Sequence, residues 1–138
     1  MARDMLLAAI ELLKRDADVA ALADTRVYGE EVPESEAAAM PRPLVVLSSV
    51  PIGGDAGGYI ELEELAFDAL CYGETPAKAA ELRRAVYAAL KHARRQVVDE
   101  TLLHWFKPLS GPRPSRVDTQ WPYCAQTWQA LVSEKQST

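Results

Sequence analysis

The hydrophobic positions of this chain fall into two rhythms, one helical and one alternating. Leu6, Ala9, Ile10, Leu13 and Ala17 recur at i, i+3, i+4 and i+7, which predicts an N-terminal helix with a single apolar stripe. Asp18 reads as the N-cap of a second short turn, Val19 to Ala23, which Asp24-Thr25 ends. Arg26-Val27-Tyr28 is short and β-prone and stops at Gly29. Glu30 to Pro43 is acidic and alanine-rich and holds three prolines, so it is read as a surface connection. Leu44 to Val50 (LVVLSSV) lies between two prolines and predicts a strand.

Positions 53–58 hold four of the seven glycines, a composition costly to order that predicts a mobile hairpin tip. The return strand is expected from Tyr59 to Tyr72. Ile60 and Leu62 share one face, whereas Leu65, Phe67, Ala69 and Cys71 share the other. That change of parity predicts a β-bulge near Glu63-Glu64. Thr75 as N-cap, Pro76 at the first helical position and a stripe of Ala79, Leu82, Val86, Ala89 and Leu90 predict a second long helix. Thr101 to Lys107 reads as a strand, apolar in part on both faces, and Pro108 to Pro114 as a loop. A last strand runs from about Pro122 to Val132, before a polar tail from about residue 133. This order of elements defines an α+β class: a mostly antiparallel sheet with a long β-hairpin, covered on one face by two amphipathic helices. A chain of 138 residues fits a single domain, 1–138.

Composition narrows the function. Fifteen basic against 20 acidic side chains give a net charge of −5, which argues against free nucleic acid as a partner, because phosphate binding needs a basic face. The cluster Lys91-His92-Arg94-Arg95 sits where a helix should end, and there cations complement the macrodipole. Cys71 and Cys124 are too few for a disulfide framework and are expected as buried thiols. No apolar run approaches a membrane span, and Leu6–Leu13 carries Glu11 where a secretory leader would be uncharged, so a protein that is intracellular at least when it is made is expected, with its two thiols in a reducing compartment.

The search for chemistry yields no catalytic, cofactor or metal residues. The glycine run lacks the Lys and Ser/Thr of a phosphate loop and joins strand to strand. Glu61, Glu63 and Glu64 read as a solvated strand face, since an acid–base pair needs enclosure to split its pKa values. His92 and His104 show no ligand spacing with either cysteine. Among the aromatics, Trp105 and Trp128 are assigned to the core, and Trp121 and Tyr59 are left open between core and interface.

The succession of segments is more telling than any one of them. Asp18-Val19-Ala20-Ala21-Leu22 leads to Thr25-Arg26-Val27-Tyr28, then Pro43-Leu44-Val45-Val46-Leu47, then Phe67-Asp68-Ala69-Leu70-Cys71-Tyr72-Gly73, and then the helix from Thr75-Pro76-Ala77 to Leu82. Over roughly residues 5 to 132 this resembles the tail-completion (tail-terminator) proteins of tailed bacteriophages. Arg116-Val117-Asp118 and Trp128 are similar to the family's closing segment, whereas Trp121-Pro122 departs from it near the start of the last strand. The resemblance implies a virion protein assembled in the bacterial cytoplasm. Such proteins form a ring, usually of six copies, that caps the tail tube and docks the head. Its implied partners are copies of itself, the tail tube protein and a head–tail connector or neck protein. DNA would only pass through the lumen, where acidic residues would keep it from sticking, and no cofactor, catalytic residue or membrane is implied. Candidate assembly contacts are Gly53, Gly54, Asp55, Gly57, Gly58 and Tyr59 at the tip, Glu61 and Glu63 on the long strand, and Trp121; the acidic Glu30–Glu36 stretch is a further candidate. Two other readings compete: a head-to-tail joining or neck protein of similar fold, and a small cytosolic α+β enzyme or ligand-binding domain. The last would show a pocket of convergent polar groups.

Overall fold

The computed structural model describes residues 2–50, 62–93, 95–98, 101–115 and 121–134. Helix α1 spans Ala2–Arg15 and α2 spans Ala17–Ala23. They are separated by Asp16 alone. Its extended backbone and its Oδ1, which accepts the Asp18 and Val19 N–H groups at 3.0 Å each, make Asp16 the N-cap instead of Asp18. Ala17 therefore belongs to α2 and is exposed, while Leu6, Ala9, Ile10 and Leu13 form the buried stripe of α1 as the spacing predicts.

Strand β1 (Val27–Gly29) pairs with β2 (Leu44–Val50) in parallel. A parallel neighbour requires the chain to return along the strands before pairing. The proline-rich stretch after β1 makes that return and carries a single turn of helix, α3 (Glu34–Ala37). Antiparallel pairing then accounts for the rest of the sheet. β3 (Leu62–Tyr72) lies between β2 and β7 (Tyr123–Glu134), and β5 (Thr101–Pro108) and β4 (Gln96–Val98) follow, giving the order β1-β2-β3-β7-β5-β4; β6 (Arg113–Pro114) pairs with β7 beyond the end of β5. The sheet is curled and mixed, and the α+β class is as expected.

Two features of register differ from the sequence pattern. β3 faces β7 without a break from Leu62↔Ser133 to Tyr72↔Tyr123, so there is no bulge at Glu63-Glu64. The outer sheet face itself buries apolar residues, among them Leu44, Val46, Ala66 and Ala125, so a strand with apolar side chains of both parities needs no switch. The irregularity lies in β5 instead, between Leu103 and Trp105. It lets Leu103 and Phe106, three apart, both reach the core, and it turns Trp105 outward at 38% exposed, against its assignment to the core. The last strand also runs through Ser133 and Glu134, which pair with Leu62 and Thr101; residues 135–138 lie outside the described residues.

Helix α4 (Pro76–Lys91) starts where Thr75 Oγ1 accepts the Lys78 N–H at 3.2 Å and buries Ala79, Leu82, Val86 and Leu90, with Ala89 only half-buried. α1 and α4 pack on the inner face of the sheet with α2 beside them. The core between the layers holds Leu13, Val45, Leu47, Phe67, Leu82, Leu90, Leu103, Trp128 and Val132. Each such aliphatic or aromatic side chain contributes about 1.5–3 kcal/mol by leaving water. Phe67 meets Phe106 edge-on at 6.2 Å, and Trp128 lies against Tyr87 of α4 at 5.5 Å.

Candidate assembly surface

The outer sheet face is the side opposite the helices. Inner-face positions of β3 and β7 are set by Phe67↔Trp128 and Ala69↔Gln126. The alternate residues Asp68, Leu70 and Tyr72 on β3, and Tyr123, Ala125, Thr127 and Leu131 on β7, face the other way. Trp105, opposite Leu131, and Val97, opposite Leu102, belong to the same outer face, and both are exposed, at 38% and 46%. Sequence reading missed this patch. Its signal was present in the doublets Leu102-Leu103 and Trp105-Phe106, which only a register shift at His104 reconciles with one buried face.

One end of the outer face is aromatic. Tyr72 meets Tyr123 at 5.7 Å and Trp121 at 6.3 Å, both edge-on, and all three are half-buried. Beside them a polar network fixes the segment before β6. Asp68 Oδ1 accepts from Thr127 Oγ1 and from Arg113 at 3.1 Å, and Arg113 also donates to Ser110 Oγ at 2.7 Å. Gln126 on the inner face reaches the Ser110 carbonyl at 2.9 Å, so this segment is held from both sides of the sheet.

Of the nine candidate contacts, Gly53, Gly54, Asp55, Gly57, Gly58, Tyr59 and Glu61 lie outside the described residues. Glu63 stands near the start of β3, paired with Val132, whereas Trp121 meets Tyr72 edge-on at the other end of that strand. At about 3.3 Å per residue the two lie about 30 Å apart and do not form one patch.

The acidic stretch after β1 is shaped by its own carboxylates. Glu36 accepts from Tyr28 Oη at 3.1 Å and from Arg42, which holds its carboxyl below the usual range despite partial burial. Burial, and then the bond to Glu36, raise the Tyr28 phenol. Glu30, at φ 73°, donates its N–H to the Leu47 carbonyl and accepts from Ser49 Oγ at 2.7 Å. A carboxylate placed at the edge of β2 just where β1 ends discourages a foreign strand from pairing there.

Reactive chemistry is sparse. His104 is shifted down by burial and then by Arg95. Among the described residues no group of three or more His, Cys, Asp or Glu converges as a metal site, and no helix is long and apolar enough to cross a membrane.

No protein-family model matches the chain, and no curated protein matches it. Solved structures do. A chain from the virion of a native gene transfer agent particle is similar at 25% identity and TM-score 0.68, with 92% of each chain covered. The gp17 protein of bacteriophage SPP1 shares the fold at 15% identity and TM-score 0.56, over 99% of this chain and 94% of that one. The fold and its likeness to a virion chain thus place the chain among structural proteins of phage-type particles. Within that class, the resemblance to the phage tail-completion proteins read from the sequence is borne out.

Proposed function

We propose that the chain is a tail terminator: a single-domain, non-enzymatic virion protein whose copies, six by the family's habit, close a ring over the finished tail tube and dock the head. The observation that carries this reading is the likeness, over 92% of both chains, to a chain of the gene transfer agent virion. An outer sheet face that leaves Trp105 and Val97 in water adds to it, because exposed apolar surface of this kind marks protein contacts. In this reading the tip residues Gly53, Gly54, Asp55, Gly57, Gly58 and Tyr59, with Glu61, Glu63 and Trp121, meet the tube protein, the connector or a neighbouring copy. DNA passes through the lumen without being held, as the net charge of −5 favours.

Electron microscopy of particles made without the protein tests the reading. Tails of uncontrolled length beside normal heads are the expected result. Tails of correct length beside empty heads would instead assign the head-to-tail joining role.

A further inference from the structure

We infer that the groove between the C-terminal ends of α1 and α4 receives the acidic stretch Glu31–Ser35 of the neighbouring copy; this rests on the ring reading above. The groove has a volume of about 410 Å³, and its lining includes Leu12, Ala88 and Ala89 together with the exposed Arg15 and His92. Ala88, Ala89 and Ala93 contribute only small side chains to its lining. Its charge is set by what is already engaged. Lys14 pairs with Glu11 at 3.7 Å, and Asp16, which also lines the groove, is committed to the first turn of α2. Among the described residues Arg15 and the exposed Lys91, which precedes the lining residue His92, make no ion pair, so two unpaired cations stand at the C-terminal ends of α1 and α4, where the helix dipoles favour them.

The complementary element lies on the same chain, at the other end of the sheet. Glu30 and Glu36 are occupied by Ser49 and by Tyr28 with Arg42, which leaves Glu31, Glu34 and Ser35 exposed on a stretch whose two flanks are tied down. A pre-ordered projection of this kind loses little freedom on docking. The acidic stretch follows β1, one end of the strand order, while Gln96 of β4, the other end, lines the groove. Unlike patches at opposite sheet edges are what a head-to-tail contact needs in order to close a ring, whereas a twofold contact would use one patch twice.

Charge reversal tests the contact, with circular dichroism to check that each variant folds. Arg15→Glu with Lys91→Glu, and separately Glu31→Lys with Glu34→Lys, are each expected to weaken self-association about tenfold or more, as loss of close interfacial charge pairs does. The readouts are sedimentation of the pure chain and ring occupancy on purified tails. The fourfold variant carrying both reversals is expected to regain association. Wild-type chain that stays single at every concentration and on tails would sink the ring reading and this contact with it. Wild-type rings that all variants form equally well, or variants that fail singly and are not rescued together, would overturn the contact alone. Variants that self-associate normally but no longer seat on tails would move the acidic stretch to the tube and equally overturn it.

Discussion

Cys71 lies directly across from Cys124 in the register of β3 and β7, and the two form a hydrogen-bonded pair. The phase follows from Gly73, whose N–H donates to the Pro122 carbonyl at 3.1 Å two residues further along, since hydrogen-bonded pairs recur at every second residue of an antiparallel ladder. In this phase the Cα atoms stand about 5.5 Å apart and the side chains do not converge as they do in the other phase. A disulfide needs Cβ atoms within about 3.5–4.5 Å. Both thiols are buried and free.

The pair is therefore expected to stay reduced and silent. Burial, and then the neighbouring thiol, push Cys71 well above the ordinary thiol range, and burial also raises Cys124. Because the thiolate is the reactive form, an aromatic disulfide reagent should label neither cysteine in the native protein up to about pH 9 and both in denaturant. Native labelling, or a mass loss of two hydrogens after mild oxidation, would contradict this geometry.

Much of this fold was legible in the chain. Thr75-Pro76 announces α4, the LVVLSSV run announces β2, and the period of Leu6, Ile10 and Leu13 announces α1, because each signal is local. What stayed hidden depends on contacts between distant residues. The parallel pairing of β1 is carried by three residues, and the shift at His104 is defined only against β7. Likewise Arg15 and His92 lie at the ends of different helices and come to line a common groove only when those helices pack. The glycine run at 53–58 stands out by composition alone, which marks cost of ordering without locating a partner.

The two tryptophans assigned alike by sequence should behave differently. Trp128 is fully buried against Tyr87, so Trp128→Ala is expected to cost about 3–5 kcal/mol in urea unfolding. Trp105→Ala, on the outer face, should cost about 1 kcal/mol or less in the isolated chain. If the outer face is a contact, the second variant should still reduce incorporation into particles. Equal losses of stability would place Trp105 in the core after all.

Gly73 tests the junction between β3 and α4. A Cβ built there would stand 2.5 Å from the Ala79 amide nitrogen and 2.8 Å from the Lys78 carbonyl carbon, both backbone atoms of the helix's first turns. Neither can rotate away as a side chain would, so the helix must shift against the strand. Gly73→Ala should lose about 1–3 kcal/mol, the range for overpacking, and α4 amides should exchange faster than those of α1. A neutral effect would mean that the helix start yields to the added methyl without cost.

The Tyr28–Glu36–Arg42 cluster should make stability depend on acid in one window. The folded Glu36 carboxyl is held below its ordinary value, mainly by Arg42 and then, against the effect of burial, by Tyr28. A carboxyl lowered on folding stabilises fully above its unfolded pKa, and that contribution fades as pH falls through the folded one. The urea midpoint of the wild type should thus drop as pH is lowered from about 5 towards 3, in the range where glutamate titrates. Glu36→Gln should lie below the wild type at pH 7 and show a shallower drop, so that the two curves converge in acid. Curves that stay parallel across that window would mean that the α3 stretch is held in place by contacts other than this carboxylate.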